Sequence, residues 1–353
     1  MLFQKPKNKN IYWKIHTAGL INQVMSIETG AGIAFMEKAP ICFYKTRVDK
    51  NRTISPSGII PEKRKRLYSG SSIPIIFDLL DIPNDIFYSV INQNDISSEI
   101  KIKCLELNDI LGFYYKCQDG PHETEFAEGR NLVPSVNNSS VNFVKFTFAF
   151  YSRFFFNRPP ALDSFLSRLT FKKEYLDLAE KIAKKLGKFR GMHIRLTDHA
   201  NKYDTTPENI ANGQKYFINT NLPLIVSTDD KNRVSDKIKI KCIFVDDIIN
   251  DEFDKEFMRL PFHNEIVFGL ISLLIMGYSE EFVGTPGSTF SSYIHRLIIN
   301  RGLKNNLNYI KAGKPFDNYK QNGPFSWNGF EMHTNTKNWW REWEECKLCV
   351  TKS

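Results

Sequence analysis

Short apolar runs alternate along this chain with stretches whose apolar positions recur every three or four residues. That pattern predicts strands alternating with helices. The first cycle is a strand over Ile11–Ile15, a turn over Thr17–Gln23 and a helix over Val24–Lys38, with Val24, Ile27, Ala31 and Ala34 near one face. Pro40 stops the helix, and Ile41–Tyr44 reads as the next strand. Residues 47–72, rich in Lys, Arg, Pro, Ser and Gly, read as a long surface loop. From Ile73 to Asn157 short strands and helices alternate, Ile100–Leu105 with a period of two. The aromatic run from Val141 to Phe156 reads as core packing between domains, and Pro159-Pro160 as a domain boundary.

Helical spacing returns over Ala161–Leu186, with Gly187 as a natural C-cap. Four more strands are predicted, at Phe189–Ile194, Leu222–Ser227, Lys239–Val245 and Glu281–Gly284. Helices are expected from Thr206-Pro207-Glu208, over Asn264–Gly277 and over Tyr293–Asn300. Repeated strand–helix units of this kind build a parallel sheet with ligand residues at the strand tips. The tail beyond Lys311 carries Trp327, Trp339, Trp340 and Trp343, which read as anchors of a helix packing back across the chain. The expected organisation is residues 1–158 as an N-terminal unit, 159–312 as a C-terminal unit and 313–353 as the tail.

Three strand tips carry the candidate chemistry: Arg195/Asp198, Asp229/Asp230 and Ser288–Ser292. Arg195 offers a planar, always charged fork of donors suited to phosphate. Its alternative is a strand-end arginine paired to Asp198. In the turn Thr285-Pro286-Gly287-Ser288-Thr289-Phe290-Ser291-Ser292, Gly287 allows close backbone approach, and hydroxyls and N–H groups gather at a helix start. That is an anion cradle, or a simple Ser/Thr N-cap. His193 is either part of a ligand pocket or a satisfied core histidine.

Charge and composition narrow the picture. The chain has 353 residues and a formal net charge of +9, which favours an anionic ligand. It does not choose between nucleotide, nucleic acid and acidic glycan. The N-terminal residues lack the apolar core of a signal peptide, and no apolar run is long enough to span a bilayer, so a cytoplasmic location without a membrane span is expected. Six scattered cysteines suit a reducing compartment. Cys346 and Cys349 form the only close pair and have no partner cluster for zinc. Glycosylation sequons at Asn51, Asn137 and Asn138 read as chance matches.

In order and content, four segments resemble the GDP-fucose-dependent fucosyltransferases, a superfamily that includes the protein O-fucosyltransferases and the α1,2- and α1,6-fucosyltransferases. They are Gly19-Leu20-Ile21-Asn22-Gln23, His193-Ile194-Arg195-Leu196-Thr197-Asp198, Val226-Ser227-Thr228-Asp229-Asp230, and Phe282 through Arg296 with its Ser-Thr-Phe-Ser core. The resemblance is clearest over residues 190–302, with an island at 17–38. It implies a GT-B architecture, two Rossmann-like domains facing across a cleft. It implies inverting transfer of fucose from GDP-fucose to a protein or glycan hydroxyl, with no metal and no other cofactor. Arg195 and Asn22 then act in catalysis. His193, Arg195, Asp198, Asp229, Ser288, Thr289, Phe290 and Ser291 form the donor site, and Asp246, Asp247 and Glu265 are candidates to read guanine. Glu28 is a conceivable base. Two other readings stand beside this one. The first is another GDP- or UDP-sugar on the same scaffold. The second is a non-enzymatic basic protein binding nucleic acid through 62–66 and the Lys-rich helix 172–188.

Overall fold

The structure is a computed structural model that describes residues 11–15, 20–45, 76–92, 105–106, 144–145, 160–196, 210, 213–214, 217, 221–235, 241–262, 265–285, 288–301 and 307–309. The basic loop 47–72, most of the aromatic run, the helix start at Thr206, the tryptophan tail and the Cys346/Cys349 pair lie outside them.

The first half supplies β1 (Ile11–Ile15), α1 (Leu20–Glu37), β2 (Ile41–Lys45), α2 (Ile76–Leu79), β3 (Leu80–Asp81), β4 (Tyr88–Asn92), β5 (Leu105–Glu106) and β6 (Val144–Lys145). The second supplies α3 (Pro160–Ser167), β7 (Thr170–Phe171), α4 (Lys173–Leu186), β8 (Arg190–Ile194), β9 (Leu224–Thr228), α5 (Lys231–Ser235) and β10 (Cys242–Phe244). There follow α6 (Val245–Asp247), a π-helical turn (Ile248–Glu252), α7 (Asp254–Phe257), α8 (Glu265–Met276), β11 (Glu281–Gly284), α9 (Thr289–Asn300) and β12 (Leu307–Tyr309).

Among the described residues β3 pairs with β7, and the other ten strands make two five-stranded sheets, ordered β4-β2-β1-β6-β5 and β10-β9-β8-β11-β12. Every pairing within them is parallel. Numbered by its own strands, the second sheet runs 3-2-1-4-5, the doubly wound order of nucleotide-binding folds. The order reverses between β8 and β11, so the crevice beyond their carboxyl ends is where ligands of such sheets bind. In the first sheet the reversal falls beside β1, and the chain leaves β1 directly into α1.

Alternating residues explain how the second sheet is covered on both faces. Met192, Ile194, Leu224, Val226, Phe244 and Val283 enter one core cluster, with Ile210, Phe217 and Val234. Ile225 and Phe282 point the other way, into a larger cluster with α4 and α8. That larger cluster is continuous with the core of the first sheet, including Trp13, Ile15 and Phe43. Helix α1 sits close on its own sheet because Gly30 lacks a side chain. A Cβ there would lie 2.9 Å from the Trp13 ring and 3.0 Å from Phe43. Trp13 Nε1 also donates to Ser26 Oγ of α1, at 3.2 Å.

Four expectations need correction. Helix α1 opens at Leu20, inside the expected turn Thr17–Gln23, and α9 opens at Thr289 rather than Tyr293, because both helices take in first turns that carry polar residues. The helical spacing over Ala161–Leu186 is two helices, because Thr170–Phe171 between them pairs antiparallel with Leu80–Asp81. The predicted strand over Lys239–Val245 is shorter, Cys242–Phe244, since the chain turns into α6 at Val245. Gly187 does cap α4: its φ is 69° and its N–H donates to Ala183 O. No helix among the described residues is long and apolar enough to cross a membrane.

Candidate functional site at the switch point of the second sheet

Strand β8 is buried along its whole length, and Arg195 is the first residue beyond it to emerge. Its side chain keeps 20% of its surface, against 1% for Asp229. Arg195 Nε lies 3.8 Å from Asp229 Oδ2. The other Asp229 oxygen accepts the Leu196 N–H at 2.7 Å. The carboxylate thus ties the end of β9 to the residue after Arg195 and sits behind the guanidinium. The partner foreseen for Arg195, Asp198, lies outside the described residues.

The adjoining strand end is fastened to β8 by hydroxyls. Thr285 Oγ1 donates to His193 O at 2.9 Å and accepts the Arg195 N–H at 3.0 Å. Ser291, in the first turn of α9, is fully buried, and its Oγ accepts the Thr285 N–H at 2.9 Å. The same oxygen lies 2.6 Å from His193 Nδ1. The Phe290 ring stacks on the His193 imidazole with centroids 4.6 Å apart. A Cβ on Gly284 would come within 2.7 Å of Ser291 Cβ, so glycine ends β11 because α9 begins in contact with it.

This geometry sorts the candidates. His193, Arg195, Asp229, Phe290 and Ser291 come together around the ends of β8, β9 and β11. Ser291 and His193 hold each other and the Thr285 backbone. Ser288 is buried and its N–H donates to Thr285 O at 3.3 Å, while Thr289, half-buried, opens α9. Here the partial positive charge of a twelve-residue helix meets the guanidinium strand end. Asp230 serves α5 instead, its Oδ1 accepting the Arg233 N–H at 3.1 Å. Asn22 lies in the first turn of α1, beyond the end of β1 and at the reversal of the first sheet.

Of the acidic residues foreseen near guanine, Asp246 is buried at the start of α6 and Asp247 is ion-paired with Lys231. Glu28 is not placed as a base. It is fully buried and holds the Arg296 guanidinium through both oxygens, at 2.5 and 3.1 Å. At the opposite end of β8, burial pushes the Arg190 guanidinium below its ordinary pKa, with Glu281 opposing. Arg190 Nε donates to Leu222 O at 2.8 Å. On α4 each lysine lies beside a carboxylate: Lys173 by Asp177, Lys181 by Glu256, Lys184 by Glu180 and Lys185 by Glu252. Thr285 and Arg296 are the residues that pattern reading passed over. The only signal was their place inside the Ser-Thr-Phe-Ser segment.

No protein-family model matches the chain, and no curated protein does. Among solved structures it is similar to the fucosyltransferase NodZ from Bradyrhizobium, at 12% identity and a TM-score of 0.47 over 82% of this chain and 93% of that one. It is similar to POFUT1 in complex with GDP-fucose at 13% identity and a TM-score of 0.41, over 87% and 99% of the two chains. It is also similar to a mutant of Arabidopsis thaliana FUT1 in complex with GDP, at 11% identity and a TM-score of 0.44, over 88% and 72%. Overlap of this degree adds nothing to the geometry of the strand ends.

Proposed function

We propose that this chain is an inverting, metal-independent glycosyltransferase that moves fucose from GDP-fucose to a hydroxyl of a protein or glycan, on two Rossmann-like units facing across a cleft. One observation carries the reading. The reversal of strand order in the second sheet is flanked by a strand-end arginine on one side and a hydroxyl-lined helix start on the other. The motif resemblance narrows that general anion site to a GDP-sugar.

The chemistry asked of these residues follows from where charge develops. Breaking the bond at sugar C1 leaves negative charge on the β-phosphate. Donors already fixed around it lower the barrier most, because nothing has to reorganise as the charge appears. Arg195 supplies a charged, bidentate fork. Ser288, Thr289 and the backbone of Phe290 supply further donors at the positive end of α9. Asp229 acts from behind, orienting the guanidinium, and His193 with Ser291 keeps the helix start against the strand end. Asn22 approaches from the first sheet and orients the leaving phosphate or the acceptor.

A thermal-shift panel tests the reading. A ligand present at about a hundred times its dissociation constant adds about 2.7 kcal/mol to the folded state. GDP and GDP-fucose are expected to raise the melting temperature, and UDP-sugars to leave it unchanged. No shift with any GDP ligand, or an equal shift with UDP-sugars, refutes the assignment.

A further inference from the structure

Glu28 and Arg296 form a buried pair where α1 and α9 pack against each other. Helix α1 belongs to the first sheet, which it meets through Trp13, Ser26 and the bare face of Gly30. Helix α9 belongs to the second, which it meets through Ser291 and Gly284. Where α1 and α9 touch, Arg296 Nη2 donates to Glu28 Oε1 at 2.5 Å and Nη1 to Oε2 at 3.1 Å. Tyr293 Oη donates to Glu28 Oε1 at 3.4 Å, and the Arg296 guanidinium lies 3.9 Å from the Tyr293 ring centroid. The side chains of Arg296 and Glu28 keep only 6% and 0% of their surface.

A buried ion pair is a poor device for cohesion, because apolar side chains of similar volume often hold two helices as well or better. What the fork-on-fork pair adds is register. Apolar surfaces tolerate sliding, whereas two parallel hydrogen bonds fix one offset. Glu28 is the ninth residue of α1 and Arg296 the eighth of α9. At 1.5 Å per residue, each sits roughly 10–12 Å behind the start of its helix. Those two starts carry Asn22 and the Thr289–Ser291 turn, at the strand-order reversals of the two sheets.

We infer that the Glu28–Arg296 pair, braced by Tyr293, is a latch that sets the span between the two helix starts and so positions Asn22 against the donor held at α9. Its catalytic consequence rests on the function proposed above. Glu28 and Arg296 sit two turns behind the helix starts and Tyr293 one turn behind. They are positioning residues, and a misplacement of about 1 Å far from the chemistry is enough to cost about a hundredfold in rate.

The test is the double variant Glu28→Leu/Arg296→Met, which removes both charges of the pair together. It is expected to fold with an unchanged or higher melting temperature. Its KM for GDP-fucose is expected within threefold of the parent and its kcat at least tenfold lower. Arg296→Lys keeps the charge and loses the fork. It should give the same split at smaller size, and it carries the test if the apolar pair fails to fold. Parental kcat in the folded variants overturns the latch. If the parent protein neither binds nor turns over GDP-fucose, the functional reading fails on its own account. The latch is then read from the distances between spin labels at Lys38 and Arg301, just beyond the ends of α1 and α9: a broader or shifted distribution in the double variant supports it, and an unchanged one refutes it.

Discussion

Replacing Arg195 by alanine separates the chemistry of the site from its architecture. The side chain lies at the edge of the fold, one-fifth exposed, and its 3.8 Å approach to Asp229 is longer than a hydrogen bond. Asp229 keeps the Leu196 N–H at 2.7 Å, so the carboxylate does not lose its last partner. Thr285 still bridges β8 and β11 through backbone atoms of residues 193 and 195, which the substitution does not touch. The expected stability cost is about 1–2 kcal/mol, because the buried Asp229 carboxylate loses a cationic neighbour while keeping the Leu196 N–H. The expected kinetic cost is larger. Loss of a preorganised charged donor facing a developing oxyanion typically removes about 3–4 kcal/mol of transition-state stabilisation, or about a hundred- to a thousandfold in kcat. The assay is release of GDP from GDP-fucose, with and without acceptor, alongside a urea melt of the same preparation. Arg195→Lys should recover only part of the loss, since an ammonium cannot offer the planar fork. An alanine variant that folds like the parent and turns over within threefold of it refutes the role assigned to Arg195. A variant that fails to fold refutes the claim that the residue is peripheral to the architecture.

Other expectations follow from the same contacts. Ser291→Ala removes the oxygen shared by the Thr285 N–H and His193 Nδ1, both buried, and should cost about 2–4 kcal/mol in urea-monitored stability. A loss under about 0.5 kcal/mol would mean that this oxygen does not fasten α9 to the sheet. Gly30→Ala places a methyl carbon 2.9 Å from the Trp13 ring, and the overpacking should cost about 1–3 kcal/mol in a denaturant titration. The Arg168 side chain holds the Asp85 carboxyl below its ordinary pKa. Because the folded-state pKa is depressed, that stabilisation is present above the unfolded value and lost as pH falls through the folded one. The pair is exposed, so Asp85→Asn should lower stability at neutral pH by less than about 1 kcal/mol and leave it unchanged in strong acid. Urea midpoints at the two pH values check this.

The hydrophobic pattern alone determined the strands that matter at the site, while the starts of α1 and α9 lie four residues earlier than it indicates. A run such as Leu224–Ser227 has to be buried on both faces, so it reads as an interior parallel strand whatever surrounds it. Gly187 announced the end of α4 because only glycine accepts its φ of 69° without strain. Local rules of this kind act over a few residues, and they also marked the tip residues Arg195, Asp229 and Ser288–Ser291. Which tips meet was a different question, decided by strand order. Nothing in the pattern places β11 beside β8 rather than beyond β10; that choice follows from packing the helices between strands onto both faces of the sheet. Nor does local sequence show that the Ser291 hydroxyl turns inward to His193, or that Glu28 is claimed by an arginine in a helix of the other sheet. A side chain's partner is set by which surfaces are buried together. That is a property of the whole folded chain, and it gives Glu28 and the Ser291 hydroxyl partners on distant elements.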